Sequence, residues 1–405
     1  MKPWARWTVG VGSALVVVGI VVVGSQGSGI TPATVANVPP ATLSASTTTA
    51  DQTTVVFAMG KFDEPANTFY ELFTHKDGDT AWKLATPPGV ADNGGLVVGS
   101  GAAGSLTAGF LPSADLTFSV LAHSVDGGAH WTPGDIPGTL AAVPDALATG
   151  VDGRVAAVLA RPDQAVIESD PVTKMWQRVV LPNQLDRATS RCGVSAITAV
   201  AVTSANVPVV GAGCAHSSAV GLFVSKGPPP SGAVAPPTGA KWSLVGPVFG
   251  GRTPSATSVV RLEAGLTGIT GLAKGDVDGA VELMGLWGDT GATGGIGFTG
   301  SPALVLPSGW SLLSSGIGGG GGRGVTVLVG SGASRRVETT DGPGQPWVRL
   351  ATAPTGTTAV ATVGNVTDAF VPSGTSLTVW STTSGATSWT RVGRQSVPLQ
   401  YGSSG

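Results

Sequence analysis

The sequence predicts an all-β fold built from repeated short sheets, and three observations carry that prediction. Gly (62) and Pro (29) are abundant in 405 residues, and Val, Ala and Leu stand beside many Thr and Ser, a mixture that suits short strands joined by tight turns. Tryptophan recurs at spacings of roughly 40 to 70 residues, the length of a four-stranded sheet with its loops. Four of these tryptophans are followed by similar strand-like segments ending in proline, at residues 83–87, 177–182, 243–247 and 348–354.

Taking the chain in order, residues 1–30 have Lys2 and Arg6 ahead of an uncharged run from Thr8 to Gly24 that includes Val16, Val17, Val18, Ile20, Val21, Val22 and Val23. A charged start before an apolar run is the layout of an export signal. The run is slightly shorter than the roughly 20 residues that span a bilayer comfortably. Val22/Gly24 and Val23/Ser25 are only fair cleavage sites, so an uncleaved single-pass anchor with a cytoplasmic N-terminus is favoured over a cleaved, secreted form. Residues 31–53, rich in Thr, Ala, Ser and Pro, read as an extended linker that lifts the rest of the chain off the membrane.

The repeats begin after that linker. The best copy runs from Ser124 through Asp126 and Gly128 to Trp131. At this spacing Ser124 and Asp126 can bond to the backbone of their own turn, Gly128 can take a left-handed conformation, and Trp131 can pack back on the hairpin. Weaker copies end at Trp82 (with Asp77 and Gly78), Trp176, Trp242, Trp310, Trp347 and Trp389. Seven copies predict an all-β, seven-bladed β-propeller over residues 54–401, preceded by an N-terminal transmembrane or signal-anchor helix. The first repeat opens on residues 54–59 with no inner strand before it. The tail at residues 395–401 is therefore expected to supply that strand and close the ring.

The motif Ser/Thr-x-Asp-x-Gly-x-x-Trp resembles that of the Asp-box (bacterial neuraminidase repeat) β-propellers, near-complete at Ser124, Asp126, Gly128 and Trp131 and degenerate elsewhere. The resemblance covers about residues 54–401 and implies the fold. That superfamily holds sialidases, other glycosidases and non-enzymatic exported proteins, so it implies little about activity. A sialidase site would need a Tyr nucleophile paired with Glu and an arginine triad. Only Tyr70 and Tyr401 are present, and Tyr70 and Glu71, adjacent in a strand, point to opposite faces.

Cys192 and Cys214 are the only cysteines, and in an exported chain with intervening strand-like segments they are expected to form a disulfide. Asp276 to Gly279 lacks the further ligands of a calcium loop and reads as a tight hairpin turn. The glycine run at 316–324 lacks the Lys-Ser/Thr ending of a phosphate loop. His75, His123, His130 and His216 have no metal-ligand spacing, so neither a metal nor a cofactor is expected.

A hydrophobic fraction of 42% with 11% charged residues allows a large core. A net charge of -2 without single-sign runs gives no footprint for nucleic acid. The expected function is an extracytoplasmic, membrane-anchored binding or assembly module for a protein or a cell-envelope glycan. Alternatives are a glycoside hydrolase acting on envelope polysaccharide, with Asp63, Glu64, Asp92 or Asp115 as loop acids, and a structural subunit of a membrane complex. The expected binding patch comprises two long insertions, residues 226–241 with Pro228, Pro229, Pro230, Pro236 and Pro237, and residues 289–307 with Phe298 and Leu304.

Overall fold

The computed structural model describes residues 44–397 except 49–51, 61–67, 88–92, 101–104, 113–120, 135–143, 160–163, 170–174, 216, 227–240, 251–253, 266–267, 291–295 and 319–323. The first sheet comprises β1 (Ser44–Thr48), β2 (Gln52–Gly60), β3 (Thr68–Lys76) and β4 (Lys83–Leu84). The second comprises β5 (Asn93–Ser100), β6 (Leu106–Pro112), β7 (Leu121–Ser124) and β8 (Thr132–Gly134), and the third β9 (Ala146–Thr149), β10 (Val155–Leu159), β11 (Ala165–Ser169) and β12 (Trp176–Val180). One short helix, α1 (Pro182–Asp186), leads to the fourth sheet of β13 (Val194–Val202), β14 (Pro208–Ala215), β15 (Gly221–Lys226) and β16 (Lys241–Leu244). The fifth holds β17 (Ala256–Ala264), β18 (Gly268–Val277), β19 (Ala280–Thr290) and β20 (Ile296–Gly300), with β21 (Leu304–Val305) also paired to β19. The sixth is β22 (Ser311–Gly318), β23 (Val325–Ser331), β24 (Ser334–Thr340) and β25 (Val348–Arg349), and the last β26 (Ala359–Val363), β27 (Val366–Ser373), β28 (Ser376–Thr383) and β29 (Thr390–Ser396).

Within each of these sets of strands, chain neighbours pair antiparallel, which needs only tight connections. Ladders between β1 and β22 and between β14 and β17 join the first set to the sixth and the fourth to the fifth, so that the hydrogen-bonded sheets among the described residues number five. The turn between β18 and β19 shows how local sequence dictates this. Val277 faces Ala280, and Asp278 and Gly279 both sit at positive φ (52° and 77°), the two-residue turn that Asp-Gly favours and the expected hairpin.

Each interface between consecutive sheets has its own apolar core. Val56 and Leu72 of the first sheet pack with Leu96 and Leu106 of the second. Val97 meets Leu147 and Ile167, Val180 meets Val210 and Phe223, and Leu222 meets Val259 and Leu286. Leu283 packs with Val327, and Leu328 with Val360. Phe370 and Leu377 of the last sheet return to Phe57 and Phe73 of the first. Sheets covered on both faces read as unbroken apolar runs, and β10 is buried at all five positions. A cycle of radially packed four-stranded antiparallel sheets is a β-propeller.

The position beside β2, expected for the C-terminal tail, is taken by β1. Strand β1 comes from the segment read as linker and also pairs in parallel with β22. Ser46 is buried there, donating its hydroxyl to the Val360 carbonyl at 2.8 Å. Its ladder partner is Gly316, where a Cβ would sit 2.7 Å from Ser46 Oγ. The start of the glycine run therefore makes room for β1. Residues 1–30 lie outside the described residues, among which no helix is long and apolar enough to cross a membrane.

The expected pair forms a disulfide, Cys192 to Cys214, with a Cα separation of 4.7 Å. It ties the turn before β13 to β14, and both residues are buried in the core between the third and fourth sheets.

Candidate functional site

The turn after β7 is a closed polar network. Ser124 Oγ donates to Asp126 Oδ1 at 2.8 Å and accepts the Gly128 N–H, also at 2.8 Å. Asp126 further accepts the His130 N–H at 2.9 Å, and its Oδ2 lies 2.6 Å from His130 Nδ1. The His130 backbone and ring, with the Ser124 hydroxyl, hold the Asp126 carboxyl well below the usual carboxylate range. Gly127 and Gly128 adopt φ of 75° and 89°. All these bonds satisfy the turn itself, and Trp131 Nε1 donates to the Ala85 carbonyl of the first sheet at 2.9 Å. The residues thus lock a hairpin and clamp it to its neighbour. In the corresponding turn of the first sheet Asp79, rather than the expected Asp77, accepts the Lys76 N–H at 3.0 Å and pairs with Lys83 at 2.6 Å.

Among the described residues, two concavities offer binding positions. The central one is lined by inner strands of five sheets, with Thr47, Leu96, Asp145, Thr198 and Arg261 among its walls. Arg261 is fully engaged there, donating to the Ser46 carbonyl and Thr47 Oγ1, each at 3.0 Å, and to Glu263 Oε1 at 2.7 Å. The cavity measures about 60 Å³, room for about two waters.

The second lies where the last sheet meets the first and measures about 310 Å³. Its walls carry Val363 and Val366 from the start of the last sheet, Val379 and Ser381 from β28, Val392 to Gln395 from β29, and His75, Thr80, Ala81 and Trp82 from the first sheet. Trp82 is fixed from several sides. Its ring packs edge-on against Phe370 at 4.9 Å and near His75 at 5.3 Å, and its Nε1 donates to Asp368 Oδ2 at 2.8 Å. Asp368 also accepts the Ser381 hydroxyl. Burial pushes the Asp368 carboxyl upward, and the bonds from Ser381 and Trp82 oppose that rise. His75 Nδ1 is buried without a hydrogen-bond partner. Ser381 donates to Asp368 and not to His75, so the three do not line up as a serine–histidine–aspartate relay. The arrangement offers an apolar receptacle with a rigid polar floor, the usual character of a ligand pocket.

No protein-family profile matches the chain, and no curated protein does. Solved structures do resemble it in outline. YCF48 from Cyanidioschyzon merolae is 14% identical with a TM-score of 0.43, covering 85% of this chain and 94% of that one. The Dos1 propeller is 12% identical with a TM-score of 0.41, covering 85% and 83%. A putative 6-phosphogluconolactonase from Bacteroides fragilis NCTC 9343 is 10% identical with a TM-score of 0.47, covering 86% and 96%. The fold assignment rests on the sheet order and the cycle of cores.

The residues expected to bind are placed differently from one another. Pro228, Pro229, Pro230, Pro236 and Pro237 lie outside the described residues, as do Asp63, Glu64, Asp92 and Asp115. Phe298 and Leu304 stand in strands β20 and β21 rather than in an insertion. Phe298 is 8% exposed in the core between the fourth and fifth sheets, and Leu304 is half-buried against the next core. Ile296, Phe298 and Leu304 therefore belong to the strands of the fifth sheet. Glu71 is buried and accepts the Thr86 hydroxyl within its own sheet. Among the described residues no group of three or more His, Cys, Asp or Glu is arranged to hold a metal ion.

Sequence reading gave no binding role to the cleft residues His75, Asp368, Ser381 and Arg394. Trp82 was legible as a repeat tryptophan. Its partner Asp368 lies 286 positions away, and no local pattern marks it.

Proposed function

We propose that the chain is a seven-bladed propeller of the Asp-box kind, exported and held at the outer face of the cytoplasmic membrane by residues 1–30, and that it binds a partner protein through the cleft between its last and first blades. The observation that carries the binding reading is the contrast between the two concavities. The centre is small and its one arginine is satisfied, whereas the cleft is about 310 Å³ with valine walls and an anchored indole. A volume of that size takes one or two apolar side chains. Rigid aromatic surface already ordered before binding lowers the entropic cost of association. The self-satisfied turn at Ser124, Asp126, Gly128 and Trp131 supports the Asp-box assignment, and the layout of residues 1–30 supports export.

Ala81 is exposed at the cleft wall, so Ala81→Trp fills the space without touching the core. A photo-reactive amino acid placed at Val392 in living cells is expected to cross-link a protein, and Ala81→Trp in the same chain is expected to remove that adduct. The control position is Val151, exposed on the third sheet. Identical adducts from both positions, or an adduct that survives Ala81→Trp, would sink the assignment of the cleft.

A further inference from the structure

Strand β29 is the outermost strand of the last sheet, and among the described residues its only ladder partner is β28. Among the described residues it is also the longest outer strand. It runs for seven residues, against five in β12 and β20, four in β16, three in β8 and two in β4 and β25. Every residue from Thr390 to Arg394 is exposed, Val392 to 59%. Alternate backbone N–H and C=O groups of such an edge point outward without a partner, a ready template for another strand. Native edges of this kind are normally shortened or covered; among the described residues nothing covers this one, and its one irregularity is a bulge at Val392.

The chemistry of the edge is one-sided. The chain as a whole balances 22 basic against 24 acidic residues, yet β29 carries Arg391 and Arg394 and no acid. Arg394 is exposed and donates its Nε to Ser376 Oγ at 3.0 Å; among the described residues its terminal nitrogens make no hydrogen bond. Residues 392–395 of the same strand form one wall of the valine-lined cleft. A basic open edge and an apolar receptacle therefore share one strand.

Resting on the cleft reading above, we infer that the ligand is an extended acidic peptide segment that adds to β29 as a further strand, sets an aliphatic side chain into the cleft and places carboxylates on Arg391 and Arg394. Main-chain bonds supply affinity in this mode of recognition, and the pocket and charges supply selectivity. Side chains along an added strand alternate, so acid and aliphatic residues at alternating positions face the edge and the cleft by turns.

The test uses the full-length protein and a fluorescent, end-capped hexapeptide alternating Glu with Leu, read by anisotropy. The controls are a Lys/Leu peptide, a Glu/Leu peptide N-methylated at alternate amides, and an acidic polysaccharide. The Glu/Leu peptide is expected to bind at least ten-fold more tightly than either peptide control. Arg391→Glu with Arg394→Glu, both exposed and removed from the core, is expected to reverse the charge preference, and Ala81→Trp to weaken binding ten-fold or more. If Ala81→Trp abolishes binding and the double charge reversal does nothing, the acidic-strand inference falls while the cleft reading stands. If the charge reversal matters and Ala81→Trp does not, the cleft reading falls as well. Binding of the N-methylated peptide or the polysaccharide as tightly as the Glu/Leu peptide would overturn strand addition, and failure of the peptide to bind would overturn the inference outright.

Discussion

The indole N–H of Trp82 in the first sheet donates to the carboxylate of Asp368 in the last at 2.8 Å, joining sheets that the chain itself leaves farthest apart. Elsewhere the same tryptophan position reaches a backbone carbonyl just beyond the outer strand of the preceding sheet. Trp131 bonds Ala85, Trp347 bonds Pro302 and Trp389 bonds Ala351, at 2.9, 2.9 and 3.0 Å. Of these four tryptophans, only the one at the closing seam has a buried side-chain acid as its acceptor.

That difference predicts unequal costs. Trp82→Phe keeps the ring but leaves Asp368 with Ser381 as its one remaining donor in the network, at a cost of about 2 to 3 kcal/mol. Trp389→Phe frees a carbonyl, and its cost should stay near 1 kcal/mol. Urea midpoints of the two variants measure this. Hydrogen exchange should quicken at β27 and β28 in Trp82→Phe and stay slow at β10. Equal destabilisation by the two variants would count against a special role for the seam.

Stability should fall as pH rises through the neutral range. Burial pushes the carboxyls of Glu71 and Glu168 up from an ordinary 4.5 to about 7, opposed by the Thr86 hydroxyl in one case and by Arg154 in the other. The folded state thus binds more protons than the unfolded chain between about pH 4.5 and 7. Its contribution is fully present below pH 4.5 and lost above 7, at most about 3 kcal/mol for each group. Glu168→Gln, which leaves Arg154 paired with Asp152 at 2.8 Å, should flatten that decline. A melting temperature that rises from pH 5 to 8 in the wild-type chain, or an unchanged slope in the variant, would contradict the assignment.

What the sequence made legible follows from range. The Asp278-Gly279 turn and the Ser124 to Trp131 network are local, and their residue types suffice to specify them. Six of the seven repeat tryptophans do lie at or next to a fourth strand. Trp310 instead precedes the inner strand β22, because the fourth strand β20, Ile-Gly-Phe-Thr-Gly, is too glycine-rich to stand out. Strand β1, Ser-Ala-Ser-Thr-Thr, lacks apolar alternation and is held by pairing to β2 and β22 and by the Ser46 bond to Val360. The cleft is assembled from opposite ends of the chain, and that juxtaposition exists only once the ring closes.

Phe298 offers a direct test of where the residues of the fifth sheet lie. A surface aromatic in a binding loop can be truncated with little loss of stability. Phe298 instead packs on Gly288, where a Cβ would meet its ring at 2.6 Å, and within the core formed with the fourth sheet. Phe298→Ala should therefore cost about 3 to 4 kcal/mol. A change in unfolding free energy below about 1 kcal/mol would return this residue to the surface.

The last prediction joins the disulfide to the proposed location. The bond between Cys192 and Cys214 closes a loop with a sequence separation of 22, worth about 3 kcal/mol on chain-entropy grounds. Such bonds persist in oxidising compartments and are rare where thiols are kept reduced. If residues 1–30 direct export, the full-length chain recovered from cells and denatured under alkylating conditions should take up no label. A chain lacking residues 1–30 should remain inside, label at both cysteines, and melt at a lower temperature until reoxidised. Protease added to intact spheroplasts should digest the exported propeller and spare the retained one. Labelled thiols in the full-length chain, or protection of its globular part from protease, would refute export. A bond that forms equally with and without residues 1–30 would show that folding alone drives the pairing, and would detach the disulfide from any argument about compartment.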